Sequence, residues 1–68
     1  MRFDPRPLRS AAAAKGHNKV AAIARALDLP YGTVITWTQN RSAPGGPALA
    51  AIERTYGVTA AQLFPADA

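Results

Sequence analysis

Only three residues, Asp28, Leu29 and Pro30, separate two runs whose apolar side chains recur with helical spacing. In the first run Val20, Ile23, Ala24 and Leu27 stand at i, i+3, i+4 and i+7, which gathers them on one face of an α-helix. In the second, Val34 and Trp37 are three apart and face inward, while Tyr31, Gly32, Thr33, Thr36 and Gln39 fall elsewhere around the rod. Leu29 plugs the turn. Pro30 suits the start of the second rod because its missing N–H would have had no helical partner there. Two short helices joined so tightly cross steeply, and the second then projects from the body of the domain.

The rest of the chain reads as further short helices. Residues 1–6 have no helical period and are expected to form a flexible N-terminal arm. Pro7 is acceptable in a first helical turn, and residues 8–15 continue as an alanine-rich helix. Gly16 suits the C′ position, with Lys15 complementing the helix dipole. His17 reads as an N′ residue and Asn18 as the N-cap of the helix carrying Val20. The helix carrying Trp37 is expected to end near Gln39, since Asn40 tolerates the left-handed conformation of a helix end. Residues 42–46, SAPGG, are a loop; Pro47 opens a fourth helix with Leu49, Ile52 and Tyr56 inside, and Gly57 stops it. The run from Thr59 to Gln62 fits a reciprocal capping box, with Val58 and Leu63 as its hydrophobic staple. Phe64 adds apolar area before Pro65. Sustained period-2 alternation is missing, so no sheet is expected. The predicted fold is all-α, a compact bundle of about five short helices over residues 7–65, followed by a C-terminal tail at 66–68.

Sixty-eight residues make one small domain, which buries only about 60% of the surface its unfolded chain exposes. Eight Lys and Arg against four Asp and Glu give a net charge of +4 and a pI near 10.4. That balance favours an anionic partner, nucleic acid first and an acidic membrane surface second. Between Leu29 and Glu53 there is no acidic residue, so a polyanion approaching that stretch meets no repulsion from it. There is no cysteine, which removes disulfide frameworks and thiolate metal sites, and the single His17 cannot build a zinc site. No metal or cofactor is expected. No apolar run approaches the roughly 20 residues of a membrane span, and the N-terminus does not read as a secretion signal, so a cytoplasmic location is expected. Asp4, Asp28, Glu53 and Asp67 are scattered and no nucleophile–base pair stands out, so the chain is not expected to be an enzyme.

The two helices around 28–30 read as a helix-turn-helix. Ala24 is a small residue in helix two, which lets the next helix pack closely. Val34 and Trp37 supply a buried aliphatic and a buried aromatic residue in helix three. Residues 40–44 form a turn-and-proline connection to helix four, and Gly57-Val58-Thr59 is followed by Leu63-Phe64. In these four features the chain resembles the Cro/CI-type (XRE-like) helix-turn-helix domains of phage repressors and bacterial regulators, over residues 8–64. It departs from them at Asp28, where the family usually has Gly, at Pro30, where Ser or Thr is usual, and at Val20, often Gln. The resemblance implies a lambda-repressor-like fold and a small sequence-specific regulator of transcription, a repressor that occludes a pseudo-palindromic operator. It implies double-stranded DNA as partner, a homodimer at least on DNA, no small-molecule ligand, and the cytoplasm of a bacterium or a phage-infected host. An antitoxin-type autoregulator of the same fold, or a helical protein-interaction adaptor, are the alternatives.

On this reading Tyr31, Gly32, Thr33, Thr36 and Gln39 contact bases. Asn18, Lys19, Asn40, Arg41 and Ser42, at the two ends of the motif, contact phosphates, Lys19 together with the amides opening helix two. Thr36 is the first choice for a base-edge contact, and Gln39 offers the bidentate geometry that discriminates by roughly 1–3 kcal/mol. Arg2, Arg6 and Arg9 are expected on an arm reaching along DNA. Trp37 belongs to the core. Phe64 and Leu63 are the expected dimer surface.

Overall fold

The computed structural model describes residues 2–65; Met1 and the expected tail at 66–68 lie outside them. The elements run α1 (Arg6–Ala14), α2 (Val20–Leu27), α3 (Tyr31–Thr38), α4 (Gly46–Tyr56) and α5 (Ala60–Leu63), with no strand among the described residues. The fold is the all-α bundle that the apolar periodicity predicts. Its radius of gyration, 10.7 Å, is close to the roughly 11 Å of a tightly packed chain of this length.

Four of the helices end on a residue in the left-handed conformation, and that is what makes the connections short. Gly16 (φ 81°), Asp28 (φ 59°) and Asn40 (φ 58°) repeat one arrangement. In each, the left-handed residue's N–H reaches back three residues and the next N–H reaches back five. The bonds are Gly16 to Ala13 and His17 to Ala12, Asp28 to Arg25 and Leu29 to Ala24, Asn40 to Trp37 and Arg41 to Thr36. This is a Schellman ending, which satisfies orphan carbonyls while reversing the chain. Gly57 (φ 72°) closes α4 more simply, with one bond to the Glu53 carbonyl. Asp and Asn carry the left-handed strain better than most side chains because they are short and polar.

Helix α2 packs on α3 and α4, and α1 packs on α4 and α5. Ile23, Ala24 and Leu27 from α2, Val34 and Trp37 from α3, and Ala51, Ile52 and Tyr56 from α4 are buried together with Leu8 and Ala12 of α1. Val20, Leu29 and Leu49 are half-buried at the margin of this core. The small Ala24 and Ala12, 3% and 0% exposed, let neighbouring elements approach closely, and the Trp37 indole is buried in the same core. Removing a buried indole of this kind costs about 3–5 kcal/mol, comparable with the whole stability of a domain this small.

Three expectations change. Lys19, not Asn18, is the N-cap of α2: its backbone is extended and its carbonyl accepts from Ala22 and Ile23. Asn18 stands one residue too early to cap. Second, residues 2–5 are not a loose arm. Phe3 is buried, its ring 5.6 Å from that of Phe64, and the Asp4 N–H donates to the Leu63 carbonyl at 2.7 Å. Arg6 and Arg9, assigned to the arm by sequence, lie within α1, which begins at Arg6 beyond the N-cap Pro5. Third, Leu63 is completely buried and Phe64 is half-buried against Phe3, so the apolar end of the chain is spent within the bundle rather than offered as a dimer surface. The last two share a cause: an isolated aromatic before α1 packs on one that follows α5. The capping box forms as expected, the Thr59 N–H donating to Gln62 Oε1 at 2.9 Å, with Val58 and Leu63 both buried.

Two contacts fasten the turn after α1 to α4. His17 Nδ1 lies 2.8 Å from the Tyr56 hydroxyl with the rings edge to face, and Lys15 Nζ donates to the Thr55 carbonyl at 2.8 Å while covering the Tyr56 ring. Burial pushes the Tyr56 hydroxyl above the ordinary tyrosine range. His17 is therefore a packing residue and not merely a position preceding a helix.

Candidate functional site

Helix α3 is asymmetric in a way its sequence dictates. Val34 and Trp37 are 0% and 2% exposed, which holds the helix against α2 and the core. Tyr31, Gly32 and Thr33, in its first turn, are exposed. Tyr31, at 55%, is the one exposed large hydrophobic side chain among the described residues. Gly32 has open space where a side chain would project, so the backbone of the first turn is accessible to a large partner. Ile35, Thr36 and Thr38 are half-buried along the flanks. Pro30, as N-cap, leaves the helix start without a capping side chain.

The far end of α3 carries the second group. Gln39, Asn40, Arg41 and Ser42 are all exposed. Thr36 belongs with them structurally. Its Oγ1 donates to the Thr33 carbonyl at 2.7 Å and lies 2.7 Å from Ser42 Oγ, and its carbonyl accepts the Arg41 and Ser42 amides at 2.9 and 3.4 Å. The hydroxyl expected to meet a base edge is thus already engaged with its own chain. What Thr36 supplies is the position of Arg41 and Ser42.

Asn18 and Lys19 are exposed just before α2 and line a shallow hollow with Gly16, Ala21, Ala22 and Arg25. The first-turn amides of α2 emerge there, as at any helix start. Arg25 lies in this hollow too, a residue that only its charge marks out in the sequence. The structure therefore presents the ten candidate residues in three places: 18–19 before α2, 31–33 opening α3, and 36 with 39–42 closing it.

A second hollow was not legible in the sequence. Arg2 lines it together with Phe3, Asn40, Arg41, Ser42 and Ala43, because the docked N-terminal segment runs beside the end of α3. Asp4, the nearby acid, is held by Arg6, whose Nε and second guanidinium nitrogen reach the two carboxylate oxygens at 2.9 and 3.0 Å. That pairing, with the Arg6 amide at 3.0 Å, keeps the Asp4 carboxyl below its usual range and raises the Arg6 guanidinium. Among the described residues a further acid, the exposed Asp28, lies in the turn between α2 and α3 itself.

Among the described residues no three of His, Asp and Glu come together to hold a metal ion, and no helix is long and apolar enough to cross a membrane. No protein-family model, curated protein or solved structure matches the chain.

Proposed function

We propose that the chain is a small sequence-specific double-stranded DNA-binding regulator of transcription, with α2 and α3 as a helix-turn-helix and α3 entering the major groove. The observation that carries this reading is the division of α3. Val34 and Trp37 fix the helix to the core while Tyr31, Gly32 and Thr33 are left open to solvent at its leading turn. A rod anchored on one side and bare on the other is what base-edge readout in a wide groove requires. The charge supports it. Lys19 flanks the motif on one side and Arg41 on the other, the stretch from Pro30 to Ile52 has no acid, and the chain is +4 overall.

On this reading Tyr31, Thr33 and Gln39 face bases, while Asn18, Lys19, Asn40, Arg41 and Ser42 meet phosphates. The proposed mode is repression by occlusion of an operator. Two copies bind a pseudo-palindrome with half-sites about 34 Å apart. With Leu63 and Phe64 turned inward, their pairing is driven by the DNA rather than by an apolar patch at the end of the chain.

Selection of bound sequences from a random duplex pool tests the proposal. The expected result is an enriched, inverted-repeat motif whose affinity falls steeply with salt. Retention of the pool without enrichment of any sequence overturns the specific regulator and leaves an adaptor-like binding module.

A further inference from the structure

We infer that Arg2 and Arg41 together hold one backbone phosphate of the bound duplex, in the hollow between the docked N-terminal segment and the end of α3. The inference rests on the DNA-binding reading above and adds to it a contact that lies outside the helix-turn-helix.

Its basis is the fixed course of residues 2–5. Phe3 is 8% exposed against the Phe64 ring, and the Asp4 amide bonds to the Leu63 carbonyl at 2.7 Å. Those two attachments leave Arg2 little choice of place: it lies across from Asn40, Arg41 and Ser42, on the wall of one shallow hollow. The opposite wall is equally fixed. Asn40 is in the left-handed conformation, and the amides of Asn40, Arg41 and Ser42 are turned inward onto the Trp37 and Thr36 carbonyls. The backbone of that wall is therefore committed, and the groups it presents to a ligand are side chains. Arg2 and Arg41 both line this hollow, and two positive charges bordering one hollow favour an anion in it. Among the described residues no carboxylate lines this hollow. Asp4, in the adjoining one, is neutralised in two-point contact by Arg6. A phosphodiester fits the demand, since each guanidinium offers a planar fork to its oxygens. The neighbouring exposed turn of α3 brings the duplex to this place.

The test is a salt titration of fluorescence anisotropy with the full chain and a labelled duplex of the selected sequence. Arg2→Ala is expected to weaken binding about threefold to tenfold at 0.1 M salt and to lower the log–log salt slope by about one. Arg2 is exposed, so its removal leaves the fold intact, which thermal melting of the variant checks. Arg41→Ala is expected to do the same, and the double variant to lose less than the product of the two. Arg2→Lys is expected to restore the slope but not the whole affinity, because it returns the charge without the fork. An unchanged slope in Arg2→Ala, alongside a reduced one in Arg41→Ala, overturns the shared phosphate and leaves the DNA-binding reading standing. Salt-insensitive binding or none by the unaltered chain overturns both.

Discussion

The hydroxyl oxygens of Thr36 and Ser42 lie 2.7 Å apart, and because Thr36 directs its own proton to the Thr33 carbonyl, Ser42 is the donor between them. The pair closes the end of α3 and sets where Arg41 stands.

A double-mutant cycle of Thr36→Val and Ser42→Ala is therefore expected to show coupling. Each single change should cost about 0.5–1.5 kcal/mol in urea denaturation, and the double change clearly less than their sum. Strictly additive losses would mean that the two hydroxyls do not meet in solution. Thr36→Val should also weaken DNA binding through displacement of Arg41, and do so alike on every sequence.

The turn between α2 and α3 makes a second prediction. Asp28 holds φ 59° and ψ 43°, a conformation that an alanine adopts at a cost of about 1–2 kcal/mol and a glycine at none. Asp28→Ala should lower the melting temperature by several degrees, since about 1 kcal/mol moves a domain of this size by roughly 4–8 °C. Asp28→Gly should not lower it, and by removing the acid nearest the motif it should tighten binding to duplex DNA at low salt. If both variants melt alike, the left-handed turn is not present in solution.

Much of this fold could be read from local chemistry. The helix ends are legible because the residues that stop them, Gly16, Asp28, Asn40 and Gly57, are among the few that tolerate a left-handed backbone, and all four adopt it. The faces of α2 and α4 follow from period alone. What could not be read depends on contacts far apart in sequence. Phe3 precedes Pro5 and belongs to no periodic run, so nothing local says that it packs on Phe64. Nor does anything local join His17 to Tyr56. The candidate site divides in the same way. The exposure of Tyr31 and Thr33 follows from Val34 and Trp37 being inside, whereas the engagement of Thr36 and the place of Arg2 depend on how the chain folds back on itself.

Acid pH should act on the attachment of the N-terminal segment. The Arg6 hydrogen bonds and charge hold the Asp4 carboxyl below its ordinary value. A carboxylate whose folded pKa is depressed contributes stability that is present above the unfolded value, near 4, and lost as pH falls through the folded one. The Asp4 carboxyl carbon, followed by NMR, should titrate below the usual aspartate range, and Arg6→Ala should raise it part of the way back, since the backbone amide at position 6 still donates to the carboxylate. A normal titration in the unaltered chain would show that the pair seen in the structure does not persist.

Phosphate clamps and base readers can be told apart by what they lose. Lys19 is exposed beside the opening amides of α2, where a side-chain charge contributes to any duplex regardless of sequence. Lys19→Ala should thus weaken binding to the selected sequence and to random DNA by the same factor, and lower the salt slope by about one. Gln39 is exposed just past α3, and its amide can both donate to and accept from an adenine edge. Gln39→Ala should leave random DNA unaffected, cost about 1–3 kcal/mol on the selected sequence, and relax preference at one base position. Repeating the selection with each variant checks both. A Gln39→Ala loss of equal size on random DNA would place that side chain on the backbone, and base readout would then rest on Tyr31 and Thr33 at the leading turn of α3.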